Sequence, residues 1–351
     1  MTASHTKGVN PVQALASVQQ SPWLDFIRRS FVEDGSLARL VQEDDVRGVT
    51  SNPAIFQKAM GEGTEYDAQI KSILAHEIVS PGTLYEKLAV QDIKTAAHVL
   101  APLYKATNAQ DGFVSLEVSP YLARDGQGTA HEAARLWADV SEPNLMIKIP
   151  ATPESVPAIR QTLAAGINVN VTLIFALSAY KDVVEAWLGG LEDLHKQGKD
   201  LSRVASVASF FVSRIDGKID AEIDRRIKAG DKEADALKAI RGKVAIANAK
   251  LAYVYWQDII QTPRWKTLEA AGAQPQRLLW ASTGTKDKAY SDVLYVDSLI
   301  GPNTVNTVPP ATLDAFRDHG TVSVTLTEGV AEAHHVLAEA ERLGLNLDGV
   351  T

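Results

Sequence analysis

The sequence predicts an α/β protein of the (β/α)8-barrel class with additional helices. Two observations favour this class: strand-like runs alternate with helix-patterned segments, as in parallel βαβ units, and the runs number eight. In order they are PWLDFI (22–27), VRGVT (46–50), GFVSLEV (112–118), LMIKIP (145–150), INVNVTLIF (167–175), VASVASFFV (204–212), RLLWAS (277–282) and TVNTV (304–308). An open doubly wound sheet is the alternative that this count leaves open.

The connections between the strands carry charged and apolar residues at helical spacing. Two of them are long: residues 54–111 predict two helices, and residues 213–276 predict several more, including the apolar run YVYWQDII, which we assign to the core rather than to an interface. Residues 327–344 predict a last amphipathic helix that ends at Gly344. No linker rich in Pro, Gly or Ser interrupts the chain. We therefore predict one domain over residues 1–351, with residues 1–20 as a flexible or helical extension.

Composition excludes several classes of function. The net charge of −8 argues against nucleic-acid partners and acidic membrane surfaces. The absence of cysteine excludes disulfides, thiolate nucleophiles and Cys-ligated metals. His334 and His335 are adjacent and lie on different helix faces, so no metal site is predicted. The polar N-terminus lacks a signal-peptide core, and no apolar run approaches the roughly 20 residues that span a bilayer; we expect a cytoplasmic protein.

Polar residues recur on one parity of several predicted strands, although parallel strands covered on both faces are usually apolar throughout. Ser115 and Glu117 alternate with apolar residues in one strand, and Asn170 and Thr172 do so in another. In a barrel this parity faces inward, and its late positions lie at the C-terminal mouth. Half-solvated antiparallel strands are the less favoured explanation. Seven side chains are expected to converge there: Asp25, Asn52, Glu117, Lys148, Asn170, Thr172 and Ser209.

Lys148 lies in the middle of the apolar run NLMIKIPA (144–151). An isolated strand lysine usually extends to a barrel end or pairs with a carboxylate. Partial burial would instead favour a neutral amine, which can attack a carbonyl group. Glu117 and Asp25 can supply the proton transfers that imine formation and carbon–carbon cleavage require. Together these residues predict Schiff-base aldol chemistry on a polyol.

The stretch SFFVSRID (209–216) predicts a helix start at the mouth. Ser213, with Asp216 three positions later, has the pattern of a capping box. Arg214 beside a helix N-terminus is suited to bind phosphate. A solvated surface arginine next to an ordinary cap is the alternative.

Several longer motifs then indicate a family. They are GVTSNPAIF (48–56), SLEVSP (115–120), LMIKIPAT (145–152), NVNVTLIF (168–175), SFFVSRID (209–216), LLWASTGTK (278–286) and VLYVDSLIGPNTVNTVPPATLDAF (293–316). The chain resembles the transaldolases, in particular the longer bacterial forms, over almost its whole length. The motifs KIPAT and TSNP also occur in the smaller fructose-6-phosphate aldolases.

The resemblance implies a barrel of the Schiff-base aldolase kind that moves a dihydroxyacetone unit from sedoheptulose 7-phosphate or fructose 6-phosphate to glyceraldehyde 3-phosphate or erythrose 4-phosphate. It implies a monomer or homodimer, and neither cofactor nor metal. An aldolase that releases free dihydroxyacetone and a non-catalytic barrel that binds sugar phosphates are the alternatives.

The resemblance also implies a role for each residue. It implies that Lys148 is the Schiff-base lysine, that Asp25 is the acid/base of cleavage, and that Glu117 activates water together with Thr172. Asn52 and Asn170 match the residues that contact the dihydroxyacetone hydroxyls. Ser209 and Arg214 match the residues that bind the acceptor and its phosphate, and Phe211 matches an aromatic neighbour of the lysine. Many members carry an arginine after the seventh strand, where this chain has Lys286. A lysine offers a point charge in place of a bidentate fork.

Overall fold

The computed structural model describes residues 10–345 and residue 347, and within them eight parallel strands close a barrel in sequence order. Each strand pairs with the next, and the eighth pairs with the first. The strands are β1 Gln20–Asp25, β2 Gly48–Thr50, β3 Phe113–Glu117, β4 Leu145–Pro150, β5 Val169–Ile174, β6 Ser206–Phe211, β7 Arg277–Ala281 and β8 Thr304–Val308. The predicted (β/α)8 class is confirmed. The largest difference between predicted and observed strand bounds is at β1, which was predicted over residues 22–27 and is observed over Gln20–Asp25. It begins at Gln20 because this residue pairs with Thr304 of β8.

Helices surround the barrel. Those in the described ranges are α1 Pro11–Ala14, α2 Arg29–Glu33, α3 Ser36–Glu43, α4 Pro53–Glu62, α5 Asp67–His76, α6 Pro81–Ala106, α7 Gly126–Val140, α8 Val156–Ala164, α9 Leu177–Lys196, α10 Ser213–Lys228, α11 Ala234–Ile240, α12 Val244–Ile259, α13 Pro263–Ala270, α14 Leu294–Ser298, α15 Pro310–His319 and α16 Val330–Arg342. Short 3-10 turns cover Leu15–Val18 and Pro120–Leu122.

The prediction of two helices in residues 54–111 was wrong, because this connection holds the three helices α4, α5 and α6. The last of them begins where Pro81 follows Ser80, whose hydroxyl accepts a hydrogen bond from the Thr83 N–H at 3.1 Å. Such a cap starts a new helix instead of extending the previous one. The predicted final helix is confirmed as α16, and Gly344 follows it with φ +71°.

The alternation of side chains along each strand separates two apolar regions. On β4, Leu145, Ile147 and Ile149 belong to the core between the strands and the helices. Met146 belongs to a second cluster inside the barrel, whose members include Trp23, Phe113, Val207 and Leu279. This inner layer fills the lower part of the barrel. Most polar groups on the same parity lie at its two ends, although Ser115 of β3 pairs with Met146 at the level of the layer.

Two further predictions concern segments outside the barrel wall. Tyr253 and Trp256 of the run YVYWQDII are buried, which confirms its place in the core. Of the predicted N-terminal extension, residues 1–9 lie outside the described residues, and residues 11–18 form α1 and a 3-10 turn. Among the helices that the structure describes, none is long and apolar enough to cross a membrane.

Candidate active site

A cavity of about 560 Å³ opens at the C-terminal ends of the strands. Eight of the ten predicted site residues line it: Asp25, Asn52, Glu117, Lys148, Thr172, Ser209, Phe211 and Arg214. Asn170 and Lys286 are not among its lining residues. A larger cavity of about 1070 Å³ lies outside the barrel wall, between α3 and α15, and holds none of the predicted residues. The inward parity of the strands therefore brings most of the predicted site together.

Lys148 lies on the inward face of β4, level with Glu117 of β3 and Asn170 of β5. Its ammonium group donates a hydrogen bond to the Ser51 carbonyl oxygen at 3.0 Å and lies 3.3 Å from Glu117 Oε2. The side chain is 8% exposed, and that of Glu117 is 14% exposed. Lys148 is therefore nearly buried, paired with a carboxylate, and open to the cavity only at its tip.

Asp25 ends β1 on the opposite side of the same cavity. The Thr50 hydroxyl donates a hydrogen bond to Asp25 Oδ1 at 2.7 Å, and it also lies 2.7 Å from the Thr307 hydroxyl. These contacts follow from the register in which Asp25 of β1 faces Thr50 of β2. One carboxylate oxygen is held by the barrel, and the other is available to a ligand.

Thr172 is buried at the end of β5, and its hydroxyl makes no hydrogen bond within the described ranges. The pairing of β5 with β6 shifts between Val171 and Ile174, where Leu173 has φ +58°. This irregularity turns both Thr172 and Leu173 toward the cavity. A leucine in the left-handed region is strained, and such strain is concentrated at functional sites.

Two asparagines serve the site differently. Asn170 lies below the cavity, where its amide donates to Ser115 Oγ at 3.0 Å and its oxygen accepts from Ser209 Oγ at 2.6 Å. Asn52 is the N-cap of α4, and its side-chain oxygen accepts from the Ile55 N–H at 3.0 Å. The Asn52 amide group remains available to a ligand hydroxyl, whereas Asn170 orients Ser209.

Arg214 lies in the first turn of α10, and its guanidinium carbon is 4.9 Å from the centre of the Phe211 ring. Within the described part of the chain it forms no ion pair and no hydrogen bond. A guanidinium that is stacked on a ring and otherwise free is suited to bind an anion at the cavity wall.

The predicted capping box at α10 was wrong. Val212 is the N-cap and makes no side-chain cap, and Ser213 pairs with the Ser282 hydroxyl at 3.0 Å. Asp216 accepts hydrogen bonds from the Ala245 N–H at 2.8 Å and from the Tyr295 hydroxyl at 3.0 Å. Tertiary partners from α12 and α14 thus take up the side chain that the local pattern assigned to the helix start.

The structure adds lining residues that the sequence interpretation did not single out. They include Thr50, Lys58, Leu173 and Ser282. Lys58 lies on α4, two residues after the motif GVTSNPAIF (48–56). The signal that could have identified it is a cation on the helix that directly follows β2. The cavity is lined by three cationic side chains, Lys58, Lys148 and Arg214, and by two acidic ones, Asp25 and Glu117. This balance favours an anionic ligand.

Comparison with known proteins gives one consistent result. Residues 22–351 match the family model described as transaldolase/fructose-6-phosphate aldolase. A protein named transaldolase from Parafrankia sp. is 50% identical over 341 residues, which cover 97% of this chain and 90% of the relative. Transaldolase from Thermobifida fusca is 49% identical over 345 residues, or 97% and 91% of the two chains. Transaldolase 2 from Nostoc sp. is 46% identical over 343 residues, or 97% and 90%.

Proposed function

The chain belongs to the transaldolase/fructose-6-phosphate aldolase family, and from this premise we propose that it catalyses the transaldolase reaction. A dihydroxyacetone unit passes from sedoheptulose 7-phosphate or fructose 6-phosphate to glyceraldehyde 3-phosphate or erythrose 4-phosphate. The observation that carries the proposal is the pair formed by Lys148 and Glu117, 3.3 Å apart at the wall of the mouth cavity. The family is enzymatic, and its curated relatives named above are transaldolases, which are transferases.

The first step is formation of an imine on Lys148. Glu117 accepts a proton from the ammonium group, and the neutral amine attacks the carbonyl carbon of the ketose. Glu117 then returns the proton to the hydroxyl of the carbinolamine, which leaves as water. The 3.3 Å separation allows this exchange without a change in the backbone. Thr172 offers a buried hydroxyl beside the same group and orients the water that leaves and later returns.

The second step is cleavage of the bond between the third and fourth carbons. Asp25 accepts the proton of the hydroxyl on the fourth carbon, and the bonding electrons pass to the protonated imine, which becomes a neutral enamine. The aldose phosphate leaves as an aldehyde. Thr50 fixes one oxygen of Asp25 at 2.7 Å, so the other faces the substrate. Reversal of this step with a new aldehyde forms the product ketose, and water then releases it from Lys148.

Substrate recognition follows from the groups that remain free. The Asn52 amide and the Ser209 hydroxyl face the hydroxyls of the three-carbon unit, and Asn170 holds Ser209 in place. Arg214 binds the phosphate group. Phe211 is 7% exposed and packs beside the cavity, where it limits access of water to the enamine.

The proposal extends to the properties that accompany this activity. We place the reaction in the non-oxidative pentose phosphate pathway and in the cytoplasm, and we regard the whole chain as a single domain. The closed barrel and the match over residues 22–351 support the single domain.

Trapping with borohydride tests the mechanism directly. Incubation with fructose 6-phosphate followed by reduction is expected to leave a covalent adduct on the peptide that contains Lys148, detected by mass spectrometry. Lys148→Ala is the matched control and is expected to give no adduct. An adduct on another lysine, or none on the wild-type chain, contradicts the mechanism.

The acceptor requirement separates transfer from hydrolytic cleavage. With fructose 6-phosphate alone, release of glyceraldehyde 3-phosphate is expected to stop after about one equivalent per site, because the enamine stays on the enzyme. Erythrose 4-phosphate is expected to restore continuous turnover. Equal turnover with and without the acceptor would support an aldolase that frees dihydroxyacetone.

A further inference from the structure

The connection that follows β7, residues 282–293, begins at the mouth cavity with Ser282 and carries Lys286. Its start is joined to the first turn of α10. The Ser213 N–H donates to the Ser282 carbonyl oxygen at 3.0 Å, and the two hydroxyls lie 3.0 Å apart. Ser282 and Arg214 both line the cavity. One end of the connection is therefore fixed beside the cation that we assign to phosphate binding.

Arg241, at the end of α11, holds the second half of the connection. Its guanidinium donates to Asp287 at 2.8 Å and to both carboxylate oxygens of Asp224, on α10, at 2.8 and 2.9 Å. One side chain thus bridges the connection and the helix that begins with Ser213 and Arg214. A planar guanidinium suits this bridge because it donates in several fixed directions.

Tyr290 forms a second bridge between the same two segments. Its hydroxyl donates to Asp220 of α10 at 2.8 Å and accepts from Arg241, whose guanidinium carbon is 5.3 Å from the ring centre. Gly242 packs against the ring: a Cβ there would meet Tyr290 at 2.6 Å, and its φ of +72° also disfavours a side chain. The Gly242 N–H donates to the second oxygen of Asp220 at 3.0 Å.

Lys286 lies between these anchors, immediately before Asp287. Its side chain is exposed and has no ion pair or hydrogen bond within residues 10–345. Arg214 is in the same condition at the cavity wall. Lys286 and Arg214 therefore lie on separate segments, and Arg241 and Tyr290 link these segments to each other. Neither Arg241 nor Tyr290 lines the cavity.

We propose that Arg241 and Tyr290 are positioning residues that hold the Lys286 segment against α10, so that Lys286 and Arg214 bind one phosphate monoester, that of the sugar. This inference rests on the proposed function and assigns a specificity role to a part of the chain outside the catalytic cavity. Without the clamp, the segment must be ordered when the phosphate binds, which lowers affinity for phosphorylated sugars. The chemistry at Lys148 is unaffected.

Kinetics with paired acceptors test the inference. In Arg241→Gln, the KM for erythrose 4-phosphate is expected to rise about tenfold, as expected for partial loss of a charge-assisted hydrogen bond. The KM for unphosphorylated D-erythrose and the kcat for both acceptors are expected to stay within about twofold. Arg241→Lys, which keeps the positive charge on a single nitrogen, is expected to recover part of the loss. If Arg241→Gln does not fold, Tyr290→Phe is used instead, because it keeps the ring and removes only one hydroxyl. Its KM values for the two acceptors are then compared in the same way.

Arg264→Gln is the matched control, because Arg264 bridges Glu185 and Glu192 at 2.7 Å in a similar network that does not reach the cavity. It is expected to leave both KM values unchanged. Equal losses for the two acceptors in Arg241→Gln, or the same selective loss in Arg264→Gln, overturn the inference. If the wild-type chain turns over neither acceptor, the proposed function fails and the inference fails with it. If the wild-type chain transfers the three-carbon unit to an acceptor, the proposed function stands and the Arg241→Gln result alone decides the inference.

Discussion

The two ends of the barrel interior both carry charged side chains, but they use them differently. At the N-terminal end, the Asp111 carboxylate accepts hydrogen bonds from Ser21 at 2.8 Å, Trp23 at 3.3 Å and Arg277 at 3.0 Å, and it lies 3.4 Å from Arg47. Its side chain is 4% exposed. Both oxygens of this carboxylate are therefore paired within the protein, and we refer to this N-terminal end of the barrel as the closed end.

At the mouth, hydrogen-bonding capacity is left over. Lys148 contacts one carbonyl group and one carboxylate, and in the described residues the Thr172 hydroxyl and the Arg214 guanidinium have no hydrogen-bond partner. Buried polar groups are normally satisfied, so the unpartnered hydroxyl of the buried Thr172, on the same cavity as the exposed Arg214, favours a place prepared for a ligand. The comparison teaches that burial of charge alone does not indicate function, whereas charged side chains that line one cavity and keep unused hydrogen-bond donors do.

The same strand parity produces both ends. On β7, Arg277 begins the strand at the closed end, and Leu279, two residues later, belongs to the apolar layer inside the barrel. On β4, Met146 lies in that layer, and Lys148 follows two residues later at the mouth. The apolar layer keeps the two charged regions apart, so each can be altered separately.

The largest expected effect is on catalysis at the mouth. Lys148→Ala is expected to lower kcat/KM by roughly 10⁴-fold or more, because it removes the nucleophile on which every covalent step depends. Its unfolding free energy is expected to change by less than about 1 kcal/mol, since the polar groups of a functional site contribute little to stability. Activity assays and urea unfolding of the same preparation measure both quantities.

Lys148→Met, which fills the site with an apolar chain of similar length, is the companion variant. It is expected to be as inactive as Lys148→Ala and at least as stable. If both variants unfold, Lys148 is a structural ion-pair partner like the residues of the closed end, and the distinction between the two ends fails.

The next effect is on stability at the closed end. Asp111→Asn is expected to lower the unfolding free energy by about 3 kcal/mol, because it leaves Arg277 and Arg47 without their shared countercharge. The kcat of the folded fraction is expected to remain unchanged, since the apolar layer separates Asp111 from the cavity. Denaturant titration and an activity assay below the transition give the two numbers.

Asp314→Asn is the control for this variant, because Asp314 pairs with Arg317 while 69% of its side chain is exposed. Such an exposed pair is expected to leave the unfolding transition in place. A fall in kcat without a loss of stability in Asp111→Asn would show that the two ends are coupled.

The closed fold and most of the mouth could be predicted because their signals are local. An alternation of polar and apolar residues within one strand fixes which side chains face inward. Parallel pairing in sequence order then places Glu117 directly beside Lys148. The proximity of Lys148 and Glu117, on which the proposed Schiff-base chemistry depends, could therefore be predicted from two short runs of sequence and the fold class.

The parts that escaped prediction depend on contacts between distant segments. The link between Asp25 and Thr50 needs the register of two strands, and the network of Asp111 with Arg277 joins residues 166 positions apart. Asp216 fits a local cap pattern, but Ala245 and Tyr295 provide its partners. No single-segment pattern contains this information.

The smallest expected effect concerns Asp216, a buried carboxylate that belongs to neither end of the barrel. Asp216 receives hydrogen bonds from neutral donors and forms no ion pair within the described ranges, unlike Asp111. Burial raises the pKa of Asp216 to about 6, and the Ala245 N–H opposes this only in part. Hydrogen bonds from neutral donors are therefore not enough to keep the pKa of this buried carboxyl group at its ordinary value.

Asp216→Asn isolates this difference through its dependence on pH. A carboxyl group whose pKa is raised in the folded state stabilises that state when protonated, so its contribution is complete below about pH 4 and is lost as the pH rises toward 6. The asparagine variant keeps an acceptor for Ala245 and lacks this loss. Its unfolding free energy relative to the wild type is therefore expected to increase by about 1–2 kcal/mol between pH 4 and pH 8.

Asp231→Asn is the control, and its stability relative to the wild type is expected to change with pH in the opposite direction. Hydrogen bonds from the Glu233 N–H and from Arg226 lower the pKa of Asp231, whose side chain is partly exposed. Asp231→Asn is therefore expected to lose stability relative to the wild type as the pH rises from about 2 to 5. Urea unfolding between about pH 2 and pH 8 measures the stability of both variants relative to the wild type. A relative stability of Asp216→Asn that is the same at pH 4 and pH 8 would mean that the neutral donors fully offset the effect of burial on the pKa of Asp216.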